Sequence, residues 1–405
     1  MAPNSSGKNR PVKRNGNKSG GIGEESNCES LLKNKTTSEG FRYYGPKLEE
    51  RWTLLWTIGK KTPGVVPDRN PLENPPEWFD LDRFTKAQQL AKKYYLSLNI
   101  AHFIGNILLV LLPRITVPIF ATGRSSTVYM VFLRILSTVR HVSCWYKANP
   151  FDKTTETHKS LAKVRRACHL NVSKLMNEKY PLKDDLWLSQ FDMVLTQWSL
   201  IGLVAIRPKQ CGFHNTTKEE FAEYIYFWRV IGYCMGIEDR FNCCLDYENY
   251  EEAINYMHIC FERGYKPHLD KPCPIVRAAM ELTEGVFLGL NFIIPKSIIC
   301  YEGFMKYWYE TLEVPHEIKL DSMTAKISYG LQVFLTDYLL KFSFIYTIFS
   351  IMYFHMLDTL YVKVNQVREA IDQKYHDVKY EIPNECGVYS IENKLYRPNI
   401  QELQA

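Results

Sequence analysis

The chain has 405 residues, 46% of them hydrophobic and 14% aromatic, and carries a formal net charge of +6. This length and composition provide for a sizeable buried core, and a modest charge spread along the chain argues against a dedicated nucleic-acid surface. The eleven cysteines show no pair with zinc-finger spacing and no secretory signal precedes them, so we expect reduced thiols in an intracellular protein.

Four regions follow one another along the chain. Residues 1–40 are polar, basic and rich in Gly, Asn and Ser, and we expect a disordered tail because so little apolar surface cannot offset the ordering entropy. We expect an N-terminal extension at 41–83, a main domain at 84–380 and a C-terminal tail at 381–405. Helical periodicity dominates the main domain and strand patterns are scarce, which predicts an all-α protein with one multi-helix globular domain.

Two apolar segments raise the question of a membrane. Ile100–Leu112 is apolar for 13 residues, and Phe342–Leu357 runs for 16 residues without a formal charge. A bilayer span needs about 20 apolar residues. We therefore expect both segments to be buried core helices, while a spanning or re-entrant helix remains the alternative, above all for the second.

A helix is predicted over Lys153–Asn177, and Arg165 and His169 lie together at the edge of its apolar stripe. A solvated or hydrogen-bonded edge explains such a pair. A lone imidazole on this face is also a candidate iron ligand or proton donor.

The next predicted helix, Leu186–Ile206, places three polar residues, Asp192, Thr196 and Gln197, in an otherwise apolar sequence. Buried polar groups must find partners, so the pattern indicates contact with other polar helices. The alternative is that these residues face solvent at a wide groove.

The helix expected near residues 218–235 has the clearest boundaries. Thr217 and Glu220 form a capping box before it, and Gly236 is a natural terminator.

One face of this helix carries an arginine among aromatic rings. Tyr226, Arg229 and Tyr233 share that face through their i, i+3, i+7 spacing. Gly232 and Gly236 form a GxxxG pair close to it, which allows a neighbouring group to approach the backbone.

A buried arginine is costly unless it meets an anion or several acceptors. For Arg229 the structural interpretation is a pair with Asp239 or Glu238. The functional interpretation is an arginine that binds a carboxylate-bearing ligand lying across the helix. The pattern alone leaves both open.

The sequence lacks the motifs of several enzyme classes. The sequence has no GxSxG elbow, no GxxxxGK[ST] loop, no GxGxxG after a strand, no HExxH and no EF-hand loop. Hydrolase triads and nucleotide chemistry therefore have no support.

The order of motifs resembles a known family. "FWRVIGYCMGIEDRFN" follows "TKEEFAEYIY" and is preceded by "FDMVLTQWSLIGLVAIRP", with "STVRHVSCWY" and "SLAKVRRACHLNVSKLMN" upstream. Together they resemble the ER-bound oxygenase and rubber oxygenase (latex-clearing protein) catalytic-domain family, and above all its uncharacterised animal members. The resemblance covers Phe84 to Val362.

This resemblance implies an all-α, haem-oxygenase-like fold of the latex-clearing-protein type with haem b as cofactor. It implies a dioxygen-dependent cleavage of C=C bonds in a lipophilic, isoprenoid-like substrate, in a protein that is cytoplasmic or associated with the ER membrane. Arg229 and Arg165 would bind haem propionates or line the pocket. Tyr233 and Gly232 would form its wall.

The sequence departs from the family at the iron ligand. Where the family pattern has a proximal histidine, this chain has Tyr226. A tyrosine can ligate haem iron as phenolate, and Arg229 one turn away would lower its pKa. His169 or His141 is the alternative ligand, and His169, Thr196 and Gln197 would line the catalytic pocket.

Two further hypotheses stay open. The first is a non-catalytic haem- or lipid-binding member of the same fold. The second is a membrane-associated scaffold that uses Phe342–Leu357 and its basic tail in peripheral association. An active oxygenase needs an iron ligand and a vacant position opposite it, whereas a non-catalytic member needs only the groove.

Overall fold

The structure, a computed structural model, describes residues 36–37, 40–66, 68–244, 250–270 and 272–375. The chain divides into a short N-terminal unit, Met1–Gly45, and a second unit that begins at Pro46. In the first, an isolated bridge pairs Thr36 with Arg42. Apart from residues 36, 37 and 40, the tails predicted at 1–40 and 381–405 lie outside the described residues.

The second unit is helical, and the predicted all-α class is confirmed. Its helices are α1 (Pro46–Thr57), α2 (Leu81–Lys93), α3 (Tyr95–Leu109), α4 (Pro113–Ala121), α5 (Val128–Trp145), α6 (Glu156–Val164), α7 (Asn171–Lys179), α8 (Gln190–Ile206), α9 (Lys218–Met235), α10 (Tyr250–Ile259), α11 (Lys266–Asp270), α12 (Pro274–Leu290), α13 (Tyr301–Thr311), α14 (Met323–Phe334), α15 (Ser343–Val362) and α16 (Val364–Tyr375). In the described part of this unit, β pairing is limited to an isolated bridge between Pro63 and Ser189.

The centre of the fold is the packing of α3 against α8. A Cβ built on Gly105 of α3 would lie 1.7 Å from the Ser199 carbonyl oxygen of α8, so the two backbones touch at a position that only glycine allows. Large aromatic side chains, among them Trp198 and Trp228, are fully buried around this contact. Each such ring removes a large apolar area from water.

Helix ends lie where predicted if the sequence contains clear capping residues. α9 spans Lys218–Met235, its capping box between Thr217 and Glu220 is formed, and Gly236 ends it in the left-handed region at φ 109°. The helix predicted over 153–177 is interrupted, because a π-helical turn at Arg165–Leu170 separates α6 from α7. Similar turns follow α10 at Cys260–Tyr265 and α14 at Leu335–Leu339.

The two apolar segments differ in how far they are buried. Ile100–Leu112 lies mostly in α3 and is largely buried, as predicted; the chain then bends by 86° into α4. For Phe342–Leu357 the expectation of a buried core helix is wrong, since α15 is a helix whose buried residues are Leu357 and Leu360 alone. By length and composition α15 is long enough to cross a bilayer.

Candidate functional site

Tyr226, the predicted iron ligand, is buried on α9 with its hydroxyl in backbone hydrogen bonds. The Asp80 N–H donates to Tyr226 Oη at 2.5 Å, and that hydroxyl lies 3.3 Å from the Trp78 carbonyl oxygen, to which it donates. Burial raises the pKa of Tyr226 and outweighs the opposite influence of Arg83 and Arg229. The phenol is therefore a neutral donor, and the expected lowering of its pKa by Arg229 does not prevail.

Arg229 is neutralised by the chain itself. Its Nε and Nη2 atoms donate to the two carboxylate oxygens of Asp239 at 3.2 and 2.8 Å, which is the fork geometry that guanidinium and carboxylate favour. Its guanidinium carbon also lies 4.1 Å from the centre of the Trp78 ring. Of the two interpretations of this arginine, the structure shows the pair with Asp239.

Residues Asn74–Asp80, which we call the Trp78 segment, cover the predicted cofactor face of α9. Trp78 packs edge-on against Tyr226 and Tyr233, with ring centres 6.1 and 5.9 Å apart. The Tyr233 hydroxyl donates to the Asn74 carbonyl oxygen at 3.2 Å. Tyr226, Arg229 and Tyr233 thus share one face, as their spacing predicted, and a protein indole lies on it.

Gly232 permits a close approach, but the group that approaches is a side chain of α8. A Cβ on Gly232 would lie 2.3 Å from Gln197 Nε2 and 3.1 Å from Asn242 Nδ2. Gln197 is buried, and its Nε2 donates to the Trp228 carbonyl and to Asn242 Oδ1 at 2.8 and 2.9 Å. Its Oε1 accepts from the Cys243 N–H at 3.3 Å, so the amide is satisfied at both ends.

The remaining polar residues predicted on α8 are also engaged. The Thr196 hydroxyl donates to the Asp192 carbonyl oxygen one turn earlier, at 2.8 Å. The Asp192 carboxylate accepts from Arg114 Nε at 2.7 Å and from Nη2 at 3.1 Å, and both side chains are almost fully buried. These contacts tie α8 to α4, as expected for buried polar groups on an apolar helix.

Arg165 and His169 lie on the π-helical turn. Arg165 Nη2 donates to the Val66 carbonyl oxygen at 2.9 Å and to that of Arg69. His169 is half-buried, and its Nδ1 has no hydrogen-bond partner among the described residues. Burial first, then Arg165 and Arg134, lower the pKa of His169 to about 4, so the imidazole is neutral at pH 7.

His141 is held by α6. Its Nδ1 lies 2.8 Å from Ser160 Oγ, which also accepts from Trp145 Nε1 at 3.0 Å. Burial, then Lys163 and Arg140, lower the pKa of His141.

A buried polar group that the sequence interpretation missed is His102 on α3. The Tyr146 and Tyr224 hydroxyls lie 3.2 and 3.4 Å from its Nε2 and 2.6 Å from each other. Burial lowers the pKa of His102 to about 3. The signal was a single histidine inside the apolar run at 100–112. Because the three polar groups satisfy one another among aromatic rings, this cluster is structural.

An open groove of about 870 Å³ lies between α1 and residues 239–244. Charged side chains of both signs line its wall, among them Lys47, Arg51, Arg229 and Asp239. A haem needs apolar faces on both sides of the macrocycle with cations only at its propionate edge. A wall that carries acidic and basic side chains together does not offer such faces.

The α9 face therefore does not fit a haem as the chain is folded. The predicted ligand is used by backbone groups, the predicted propionate arginine is used by Asp239, and the close approach at Gly232 is filled by Gln197. Among the described residues, no group of three or more His, Cys, Asp or Glu side chains is placed to hold a metal ion. Among the residues predicted to bind iron, His169 has a buried ring nitrogen, Nδ1, without a hydrogen-bond partner.

No family model matches the chain, and no curated protein matches its sequence. Among solved structures the chain is similar to latex clearing protein in its closed state, at 14% sequence identity over 86% of this chain and 87% of that one, with a TM-score of 0.46. At this identity and TM-score the likeness carries no conclusion about the site, and the chain's own residues decide what its site can hold.

Proposed function

We propose that this chain is a non-catalytic, lipid-binding protein of intracellular membranes that does not use a haem on α9. The observation that carries the proposal is the Trp78 segment, whose indole packs on the α9 face predicted to bind the cofactor and whose backbone bonds to the Tyr226 hydroxyl predicted to bind the iron. The free thiols of the nine described cysteines support an intracellular location. The lipid-binding half is supported by apolar side chains on the outside of α14 and α15.

Visible spectroscopy tests the haem-free half. We expect the purified protein to show no Soret band and no saturable change when haemin is added, and a Tyr226→Phe variant to behave identically. A Soret band in the wild-type protein that shifts or vanishes in Tyr226→Phe would overturn the proposal, because it would make the phenol an iron ligand.

Fluorescence titration tests the lipid-binding half independently. We expect a soluble fluorescent fatty acid, cis-parinaric acid, to bind with saturation. Lack of any saturable binding would remove this half of the proposal whatever the visible spectrum shows.

A haem-dependent oxygenase that cleaves C=C bonds of a lipophilic, isoprenoid-like substrate is the second candidate, and His169 is what favours it. Its unpartnered Nδ1 lies in a basic environment set by Arg165 and Arg134, and haem requires one such ligand and cations for its propionates. Haem would supply the dioxygen chemistry. This candidate predicts a Soret band that is lost in His169→Ala and unchanged in the matched variant His141→Ala.

A further inference from the structure

α14 presents a continuous apolar stripe to the outside of the protein. Five large side chains, spaced three or four residues apart, lie along this helix and the π-helical turn that follows it: Met323, Ile327, Leu331, Phe334 and Tyr338. Each is at least 43% exposed. That spacing places them on one side of the helix, and contiguous apolar surface of this extent is rare on soluble monomers.

α15 continues the exposed surface. Phe344, Ile348, Ile351 and Met352 follow the same helical spacing, and each is at least 40% exposed. No charged residue occurs between Phe342 and Leu357. Exposed lysines, Lys341 and Lys363, stand at the two ends of the helix.

The opposite face of α15 is attached to the protein. The Tyr346 hydroxyl lies 3.2 Å from both the backbone nitrogen and the hydroxyl of Ser97 on α3. Phe354 stacks on Tyr95 with ring centres 4.8 Å apart, and Leu360 is fully buried. The contacts of Tyr346 and Phe354 attach α15 to α3, most of whose residues are buried in the protein. One face of α15 therefore packs on the protein, and the other is exposed.

We propose that α14 and α15 dock the protein on a lipid bilayer, with α15 lying in the plane of the interface rather than crossing it. The proposal rests on the lipid-binding half of the proposed function and names the surface responsible. The apolar stripes would enter the boundary between headgroups and acyl chains, as amphipathic interfacial helices do. Lys341 and Lys363 would reach back to anionic phosphates at either end.

The distribution of charge favours a bilayer over a second protein. Protein interfaces surround an apolar centre with a polar rim that sets the partner's orientation. Along α15 the charges are confined to the ends, because Lys341 precedes the helix and Asp358 is the first charged residue within it. A surface of this kind matches a partner that is apolar in its interior and anionic at its edge.

Vesicle co-sedimentation tests the surface. The full-length protein is mixed with vesicles of phosphatidylcholine and phosphatidylserine, and the bound fraction is compared with that of the double variant Ile348→Glu, Met352→Glu. We expect partition to fall by about tenfold or more, since two apolar side chains are lost and two carboxylates face the lipid. The matched control is Leu81→Glu, an equally exposed apolar residue in the first turn of α2, where a carboxylate is favourable.

Three outcomes of these measurements bear on the docking surface. Wild-type protein that stays in the supernatant, or a double variant that binds as well as wild type, overturns the docking surface. If cis-parinaric acid still binds in that case, the proposed function survives without this surface. A wild-type dimer in size-exclusion chromatography that the double variant abolishes assigns the surface to a second copy and also overturns the proposal.

Trypsin added outside sealed vesicles tests the orientation. An in-plane helix leaves both Lys341 and Lys363 open to cleavage, whereas a crossing helix protects one of them. Recovery of a fragment cut at only one of these lysines contradicts the in-plane arrangement.

Discussion

Replacing Gly232 by alanine tests whether the GxxxG pair on α9 serves packing against α8. Alanine in a helix interior gains about 1 kcal/mol over glycine. Here, however, the new Cβ would overlap Gln197 Nε2, 2.3 Å away. The amide cannot move without losing its bonds to Trp228 and Asn242, and two buried hydrogen bonds cost about 2–4 kcal/mol. We expect a net loss of about 1–3 kcal/mol in the free energy of unfolding.

Urea unfolding followed by circular dichroism measures this loss, and the chain offers a matched control. Gly330 is also helical, and a Cβ added there meets nothing within 4 Å, so Gly330→Ala should stabilise the protein by up to about 1 kcal/mol. If Gly232→Ala stabilises the protein as Gly330→Ala does, the packing argument is refuted. In a double-mutant cycle, Gln197→Ala should remove most of the penalty of Gly232→Ala.

Three further substitutions probe ionisable side chains that the fold buries wholly or in part. The pKa of His102 falls from its usual 6.5 to about 3 on folding, so the unfolded state takes up the proton first and stability is lost as pH falls below 6.5. Between pH 7 and 5 this loss should be about 2 kcal/mol, and urea unfolding at both pH values should show a smaller loss in His102→Gln. Asp192→Ala leaves the Arg114 guanidinium buried without its main partner and should cost about 3–5 kcal/mol in the same assay; a loss below about 1 kcal/mol would contradict a tightly buried pair. Arg229→Lys loses the fork with Asp239 and should cost about 1 kcal/mol, a modest value because Asp239 is 43% exposed; an unchanged urea midpoint would show that the fork contributes nothing.

Sequence patterns predicted the features that depend on residues close to one another in the chain. The ends of α9 follow from a hydroxyl, a carboxylate and a glycine within twenty residues of one another, and these groups act on the backbone beside them. The pairing of Arg229 with Asp239 was also foreseeable, because only ten residues separate them. The π-helical turn at Arg165–Leu170 was missed, since helical periodicity continues across it almost unchanged.

Contacts between distant segments could not be predicted in this way. Nothing in the residues around Trp78 indicates that its indole lies on α9, about 150 positions later in the chain. The same limit explains the error at Phe342–Leu357, because an apolar composition does not show whether the side chains of a helix pack inside the protein or stay exposed. The family resemblance likewise gave no sign that a ring of the protein covers this face.

The bond between Asp80 and Tyr226 also constrains the order in which the chain can fold. Asp80 caps α2 through the backbone nitrogens of Asp82 and Arg83, and its own N–H is satisfied by a hydroxyl 146 residues further on. Bringing groups so distant in the sequence together costs the entropy of closing a long loop before any stabilising contact forms. During synthesis, the start of α2 therefore stays without its final partner until α9 has left the ribosome. Over that interval the rings of the Trp78 segment lack the α9 face on which they pack, and apolar surface exposed in this way favours aggregation.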